Sequence, residues 1–264
     1  MARPKSDEID DAEDSGLRYR APALEKGLDI IELLASSPRP MPPKLISEKL
    51  GKSVSELFRM VQVLENRGYV AMAENQSGYE LTNKLFALGM ARGISKNLLD
   101  HAVPAMRTLS DDILQACHIA VASDDQVVVI GQMDAPAAPS FHIRVGFRQN
   151  MLEATSGALL YAYQKPKVRD AWRNGLESTV SEAEWRHFET LADTALAQGY
   201  LVAQSPYTDS ITDISCPVFS DRGPIAALTI PYIRSKLSVS VDECVASLVV
   251  TARNLSQALG ASDA

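Results

Sequence analysis

The sequence predicts an α+β protein of two domains, in which a winged helix-turn-helix precedes a larger mixed domain. The chain has 264 residues, which is more than one typical domain needs. Three short amphipathic segments and a hairpin pattern occupy its first third, and alternating strand-like and helix-like segments fill the rest. Hydrophobic residues make up 46% and charged residues 22%, so the composition is that of a folded chain rather than a disordered one.

The first part of the chain divides into a tail and a compact pattern. Residues 1–16 are polar and predict a disordered acidic tail. The elements predicted after it are helices over 23–35, 43–50 and 54–66, strands over 69–73 and 79–81 around a turn at 74–78, and an amphipathic connector helix over 83–95. Pro43 suits a first helical turn, Ser53 an N-cap, and Gly51 and Gly68 the ends of helices. These elements give a winged helix-turn-helix over 17–82 and a linker helix over 83–97.

Residues 98–264 are predicted to form a second domain that contains both helices and strands. Helices are predicted over 98–115, 154–164, 182–198 and 241–260, and strands over 117–122, 127–132, 141–145, 200–202, 214–219 and 225–233. Cys117 and His118 are consecutive strand residues and point to opposite sides, so core packing is the better interpretation of Cys117. Cys216 either lines a pocket or belongs to the core, and the core is the favoured interpretation.

The charge is distributed unevenly along the chain, whose net charge is −7. Residues 1–16 carry two basic residues against six acidic ones. Residues 17–92 carry eleven basic against eight acidic residues, a net charge of +3. The remaining residues have a net charge of −6. The basic excess is therefore confined to the block with the helix-turn-helix pattern, which favours a nucleic-acid partner for that block.

Several other classes of protein are disfavoured. The N-terminus lacks the apolar segment of a secretory signal, and no apolar run approaches the roughly 18 residues of a membrane span. An odd number of cysteines without CxxC spacing indicates a reducing cytoplasm. His101, His142 and His187 lack the spacing of metal ligands, so no metal is expected. No GxSxG, P-loop or GxGxxG motif is present, so neither a cofactor nor an enzymatic activity is expected.

The third helix carries the pattern of a DNA-recognition helix. Leu57, Val61 and Leu64 recur at helical intervals and are expected to face the domain core. The opposite side carries short polar groups near the helix N-terminus and an arginine one turn later, which suits a helix in the major groove. Together with a basic arm before the first helix and a polar wing turn, the residues expected to contact DNA are Arg18, Arg20, Ser53, Ser55, Glu56, Arg59, Gln62 and Gln76.

Two other interpretations of this polar side stay open. It is either a solvated helix face, or part of a winged helix that binds protein rather than DNA. The carboxylate of Glu56 would repel phosphate, although it can accept a hydrogen bond from a cytosine amino group.

The residues of this block resemble the IclR family of bacterial transcriptional regulators. The first helix of that family is similar to ALEKGLDIIELLA (23–35), and its recognition segment is similar to GKSVSELFRMVQVLENRGYV (51–70). Glu56 stands where the family usually has Thr. Its effector-loop segment is similar to LEATSGALLYA (152–162), and parts of its sheet are similar to AQGY (197–200), SCPVF (215–219) and GPIAALTI (223–230). The resemblance covers about residues 20–260.

The resemblance implies a GAF-like effector domain, with a six-stranded sheet flanked by helices, and assembly into homodimers or dimers of dimers. It also implies a pocket between the sheet and the matching loops. Carried over position by position, the effector-binding residues would be Gly146, Ala154, Thr155, Ser156, Gly157, Asp213, Thr229 and Pro231.

Asp213 and Pro231 distinguish this pocket from those of relatives with simple keto-acid ligands. Thr155 and Ser156 begin a helix, where free amides favour an anion, whereas Asp213 favours a cation or a hydroxyl donor. The hypothesis is an effector that is an organic acid or a polar metabolite bearing hydroxyl or amino groups. The alternative, that Asp213 caps a turn or faces solvent, stays open.

Three functions remain to be weighed. The first is a sequence-specific DNA-binding regulator whose operator affinity changes when a metabolite binds the C-terminal domain. The second is an enzyme in which the winged helix is an interaction module, but no clustered nucleophile and base is found. The third is a DNA-binding regulator whose C-terminal domain serves only for oligomerisation.

Overall fold

The computed structural model describes residues 21–91, 93–136, 140–176, 180–207, 209–236 and 238–261. The chain divides into two compact units, Met1–Ala91 and Arg92–Ala264. The predicted acidic tail and the basic arm with Arg18 and Arg20 lie outside the described residues. Within the described ranges, no helix is both long and apolar enough to cross a membrane.

The N-terminal unit has the predicted order of three helices, a hairpin and a further helix. Its elements are α1 (Pro22–Ala35), α2 (Pro43–Leu50), α3 (Val54–Asn66), β1 (Val70–Met72), β2 (Tyr79–Leu81) and α4 (Lys84–Ala91). The two strands are antiparallel, with Val70 opposite Leu81. The predicted winged helix-turn-helix is therefore confirmed as a fold.

Local signals explain where α2 and α3 begin and end. Pro43 occupies the first turn of α2, and Gly51 ends that helix in the left-handed conformation, with φ of 62°. The side chain of Ser53 accepts a hydrogen bond from the amide of Glu56, which caps the N-terminus of α3. Gly68 follows α3 with φ of 72°. The predicted bounds of both helices are confirmed.

The core of this unit is built from one side of each element. Its buried members are Ile30, Leu34, Met41, Ile46, Leu57, Val61, Val70 and Tyr79. Leu57 and Val61 are each 3% exposed and Leu64 packs against them, as predicted for α3. Leu24 and Leu28 of α1 lie on the exposed side instead, although they continue the apolar spacing of that helix.

The C-terminal unit alternates helices with an antiparallel sheet. Its elements are α5 (Gly93–Ile113), β3 (Cys117–Ser123), β4 (Gln126–Met133), β5 (Arg148–Asn150), α6 (Thr155–Ala162), α7 (Pro166–Leu176), α8 (Glu182–Gln198), β6 (Leu201–Gln204), β7 (Ile211–Ser220), β8 (Gly223–Ile233) and α9 (Val241–Ala258). The six strands have the order β5-β4-β3-β8-β7-β6. The six-stranded sheet flanked by helices that the resemblance implied is therefore confirmed.

Two apolar layers enclose the sheet. On one side, residues of α5 and α9 pack against strand residues such as Ile119, Ile214 and Leu228. On the other side, α6 and α8 pack against strand residues such as Ala120 and Ala227. Cys117, Cys216 and Cys244 are buried in the first layer, which confirms the core assignment of Cys117 and Cys216.

The observed elements differ from the predicted ones at two places. The strand expected over 141–145 is wrong, because residues 140–144 form no regular structure and a turn follows at 145–146; the apolar alternation there has no ladder partner, and β5 begins only at Arg148. Helix α7, Pro166–Leu176, was not predicted. The predicted connector helix over 83–95 falls on α4 (Lys84–Ala91) and the start of α5 (Gly93–Ile113), and Arg92 between them lies outside the described residues.

Candidate DNA interface and effector site

One side of α3 is exposed along its whole length. The predicted DNA-contacting residues of this helix, Ser53, Ser55, Glu56, Arg59 and Gln62, are all exposed. Opposite them, Leu57 and Val61 are buried. The helix therefore presents a polar surface while its apolar side holds it in the unit.

The N-terminus of α3 carries two neighbouring hydroxyl groups. The oxygen of Ser53 accepts from the Glu56 amide and lies 3.3 Å from the hydroxyl oxygen of Ser55. One hydrogen bond between two hydroxyls leaves one O–H free to donate to another acceptor. Free amides at a helix N-terminus also attract anions. This end of α3 is therefore suited to a phosphate oxygen.

Glu56 is engaged with α1. Its carboxylate lies 2.5 Å from the Lys26 ammonium, and the hydrogen bond from Lys26 lowers the pKa of Glu56. The ion pair offsets the negative charge that would repel phosphate, so this departure from the family pattern is accommodated within the unit. Among the described residues, Glu56 is the one predicted contact on α3 that forms an ion pair.

The wing turn is small, exposed and anchored at its base. Gln76 is exposed at its tip with φ of 55°, and the side chain of Asn75 accepts from the Ser77 amide. Gly78 is required at the base, because a Cβ there would lie 2.2 Å from the backbone carbonyl carbon of Met41. Two backbone hydrogen bonds between Met41 and Tyr79 tie the hairpin to the segment before α2.

In the C-terminal unit, two of the predicted effector residues, Thr155 and Asp213, meet at a buried carboxylate. The Thr155 hydroxyl, at the first residue of α6, donates to Oδ2 of Asp213 on β7 over 3.2 Å. Asp213 is 7% exposed, and among the described residues its Oδ1 has no hydrogen-bond partner. Burial raises the pKa of Asp213 to about 6, although the bond from Thr155 opposes the shift. The carboxylate thus lies beside the N-terminus of α6 with one oxygen unused.

A row of polar side chains extends from this point across three strands. Ser215 lies two residues beyond Asp213, and its hydroxyl is 2.8 Å from that of Thr229 on β8. His118 on β3 is directly opposite Thr229 in the ladder. Burial lowers the pKa of His118 to about 4, so the ring is neutral at physiological pH, and no described residue forms a hydrogen bond with its Nδ1. Two orphaned polar atoms therefore share one side of the sheet.

The other predicted effector residues differ in their surroundings. Ala154, Ser156 and Pro231 are buried near the start of α6 or on β8. Gly157 is also buried, and a Cβ there would meet the backbone oxygen of Met151 at 2.0 Å, so close packing alone explains this glycine. Gly146 is exposed, and its amide donates to Val129 at the edge of the sheet.

An aromatic contact lies near Asp213. Phe147 meets Tyr207 edge to face, with ring centroids 5.8 Å apart. Tyr207 precedes β7, and burial, followed by the charges of Asp213 and Glu153, raises its pKa to about 12. Phe147 and Tyr207 therefore bring the β4–β5 and β6–β7 connections together close to the buried carboxylate.

The sequence did not single out His118, Ser215, Phe147 or Tyr207 as site residues. Strand alternation could have indicated Ser215, because it shares a side with Asp213 two residues away. His118 was considered only together with Cys117. Its position opposite Thr229 follows from the pairing of β3 with β8, which no short stretch of sequence predicts.

The buried carboxylate suggests a pH-dependent stability. We expect Asp213→Asn to stabilise the C-terminal unit at pH 7.5 by up to about 3 kcal/mol, because the raised folded pKa of Asp213, about 6 against 3.8, disfavours its ionised form. The free-energy cost of ionising the buried Asp213 develops as pH rises through about 4 to 6. The stability difference between Asp213→Asn and wild type should therefore shrink at pH 5. Urea denaturation at both pH values measures it.

The control for this measurement is Asp209→Asn, at an exposed aspartate in the connection before β7. That variant should leave stability nearly unchanged at both pH values. A gap between wild type and Asp213→Asn that is equal at pH 7.5 and pH 5 would contradict the prediction.

Fold and sequence comparisons agree on the class of protein. A winged helix-turn-helix with an exposed recognition helix, followed by a helix-flanked six-stranded sheet, defines a DNA-binding transcriptional regulator of the one-component type. The family model of the IclR helix-turn-helix domain matches residues 23–72, and that of the bacterial transcriptional regulator IclR C-terminal domain matches residues 94–257. The chain belongs to the IclR family.

Two relatives match most of the chain. The HTH-type transcriptional regulator KdgR of Dickeya chrysanthemi is 30% identical in a 232-residue alignment that covers 83% of this chain and 73% of the relative. The HTH-type transcriptional repressor AllR of Klebsiella pneumoniae is 27% identical over 249 residues, 91% of this chain and 90% of the relative. Both matches extend across most of each protein.

A solved structure supports the fold. The IclR homologue of Microbacterium hydrocarbonoxydans, complexed with 4-hydroxybenzoate, aligns with a TM-score of 0.76 at 20% identity, over 90% of this chain and 98% of that one.

Proposed function

We propose that this regulator binds its operator through α3 and the wing, and that a small polar metabolite bound beside Asp213 changes its operator affinity. The observation that carries the effector part is the buried Asp213 carboxylate on β7 beside the start of α6, one oxygen of which has no hydrogen-bond partner in the part of the chain that the structure describes. A buried charge without a partner is costly, so such groups are kept where a ligand or a reaction uses them. The ligand bound in the Microbacterium homologue supports an effector role for this domain.

The surroundings of Asp213 favour one kind of effector group. Its other neighbours in the polar row, Ser215, Thr229 and His118, are neutral. The Thr155 hydroxyl already donates to the carboxylate, so the chain's own anion lies beside the N-terminus of α6. A ligand hydroxyl or amino group would satisfy Oδ1, whereas a ligand carboxylate at that place would be repelled. We therefore propose that the effector is a metabolite whose hydroxyl or amino group binds Asp213.

The predicted pocket residues have different parts in this proposal. Thr155, Asp213 and Thr229 would contact the effector through polar atoms. Ala154, Ser156 and Pro231 would bound the pocket, with Gly157 permitting the close packing of α6. Gly146 would act through the loop that carries it.

On the DNA side, Arg59 would contact a base edge and Gln62 would lie beside it, while Ser53, Ser55 and Gln76 would bond phosphates. Glu56 would hold α3 to α1 through Lys26, rather than contact a base. Arg18 and Arg20 would enter the adjacent minor groove as a basic arm.

We propose that the protein forms a homodimer or a dimer of dimers, in which the effector acts by changing the spacing of two DNA-binding heads. Phe86 and Leu88 of α4 are 68% and 49% exposed, and Leu24 and Leu28 of α1 are 63% and 48% exposed. These apolar side chains suit contacts with a second copy. Operator half-sites lie about one helical turn or a multiple apart, so a small change in head spacing weakens binding. Such coupling is typically about 1–3 kcal/mol. The protein would act in the cytoplasm, where the chromosome lies.

A gel shift against the intergenic DNA next to the protein's own gene tests the proposal, with and without candidate metabolites. A complex that one metabolite weakens or strengthens supports it. A complex indifferent to every metabolite would favour a C-terminal domain that only oligomerises. Absence of a complex at low salt would contradict both. Calorimetry of that metabolite with wild type and Asp213→Ala then tests the site, and equal affinities would exclude Asp213.

Arg59→Ala should weaken operator binding about tenfold or more for each half-site, because a bidentate arginine–guanine contact is worth about 1–3 kcal/mol. Arg59 is exposed, so the melting temperature should stay at the wild-type value. Fluorescence anisotropy at fixed salt measures the affinity. Arg222→Ala removes the same charge at the exposed β7–β8 turn and serves as the control. Wild-type affinity of Arg59→Ala would refute the assignment.

A further inference from the structure

The exposed side of α3 is not wholly polar. Val54 is 43% exposed and Phe58 is 47% exposed, although both are large apolar residues. They are four residues apart, so their side chains lie one above the other on the helix surface. Together they form one apolar strip, which the polar pattern of the sequence did not indicate as part of the DNA-contacting side.

The strip adjoins the proposed DNA contacts. With 3.6 residues per turn, Val54, Phe58, Gln62, Ser55 and Arg59 follow one another within an arc of about 140°. Leu57 and Val61, each 3% exposed, lie beyond Val54 and anchor the helix. A helix that inserts Ser55 and Arg59 into a groove therefore brings the apolar strip to the same groove wall.

The major groove offers one apolar group to such a strip. Among the base edges only thymine presents a methyl group, at C5, and apolar side chains including Phe contact it. Ser55, Arg59 and Gln62 supply hydrogen-bonding groups for other base edges or phosphates, so the strip adds a kind of contact that they cannot make.

We propose that Phe58, with Val54 beside it, reads a thymine C5-methyl group, so that each operator half-site contains an A·T pair next to the base pair contacted by Arg59. This inference rests on the proposed insertion of α3 in the major groove and names part of the sequence that the helix selects. Burial of one methyl-sized group favours binding about fourfold, and two half-sites together about fifteenfold.

The test removes the methyl group and nothing else. Operators are first selected from a random duplex pool with the full-length protein. Each thymine of the selected half-site is then replaced by deoxyuridine in both half-sites, and affinity is measured by fluorescence anisotropy for wild type, Phe58→Ala, Val54→Ala and Val63→Ala. Val63 is an apolar residue of α3 that is 52% exposed and lies about 140° around the helix from Phe58, outside the apolar strip, so it provides the matched control.

For wild type we expect a loss of about fifteenfold at one thymine position. Phe58→Ala should bind the thymine operator correspondingly more weakly, and it should lose most of the preference for thymine over deoxyuridine. Val54→Ala should lose part of this preference, whereas Val63→Ala should keep it. Equal wild-type affinity for every deoxyuridine operator, or an undiminished preference in both Phe58→Ala and Val54→Ala, would overturn the inference alone. Failure to select any sequence would overturn the proposed sequence-specific function as well.

Discussion

Leu57→Asp is expected to unfold the N-terminal unit while the C-terminal unit keeps its own thermal transition. Leu57 is 3% exposed and belongs to the only apolar cluster described for this unit, together with Ile30, Ile46 and Val61. The substitution removes about 2 kcal/mol of apolar burial and places a carboxylate where no cation is provided, at a cost of several kcal/mol more. Small domains are stable by about 5–15 kcal/mol, so most of that stability would be lost.

Val63→Asp provides the control for Leu57→Asp. It introduces the same carboxylate on the same helix, at a side chain that is 52% exposed, and it should leave the unit folded. Calorimetry of the full chain and limited proteolysis of the N-terminal unit distinguish the two outcomes. Equal effects of the two substitutions would show that helix content, rather than burial at Leu57, limits stability. A folded Leu57→Asp variant would contradict the assigned core side of α3.

Gly157→Ala is expected to destabilise the C-terminal unit by about 3 kcal/mol or more. An added Cβ would lie 2.0 Å from the backbone oxygen of Met151 and 2.8 Å from its carbonyl carbon, and backbone atoms cannot move aside by rotamer change. Because Met151 is fully buried, its segment cannot shift outwards without opening the layer beneath α6. Chemical denaturation followed by the tryptophans of this unit, Trp172 and Trp185, measures the loss.

Gly175→Ala is the matched control for Gly157→Ala. Gly175 lies in α7, and a Cβ there meets no atom within 4 Å, so alanine should be neutral or stabilise the helix by up to about 1 kcal/mol. A Gly157→Ala variant as stable as Gly175→Ala would contradict the packing explanation. If such a stable Gly157→Ala variant had lost effector binding, Gly157 would instead belong to the surface that contacts the ligand.

Glu56 shows that the effect of a charged residue can depend on an ion-pair partner that is distant in the sequence. From the sequence alone, Glu56 weakened the case for a DNA-contacting face, because a carboxylate repels phosphate. In the fold, Lys26 of α1 lies 2.5 Å away and offsets that charge. Thirty residues separate the two in the chain, and the contact exists because α1 packs on α3.

The sequence by itself determined the elements whose signals are local. Pro43, Gly51, Ser53 and Gly68 act on the backbone within a few residues, so the bounds of α2 and α3 were predicted correctly. The same holds for α8, whose capping box at Ser181 involves only neighbouring residues. Such signals need no knowledge of the remaining chain.

Only the tertiary structure decided which distant residues meet. His118, Thr155, Asp213 and Thr229 come from four elements, and strand pairing and the packing of α6 bring them to one side of the sheet. A strand pattern states that alternate residues share a side but not which strand lies beside it, which is also why the apolar alternation of 141–145 was mistaken for a strand. Pairing is settled by long-range burial and hydrogen bonding, which no short segment contains.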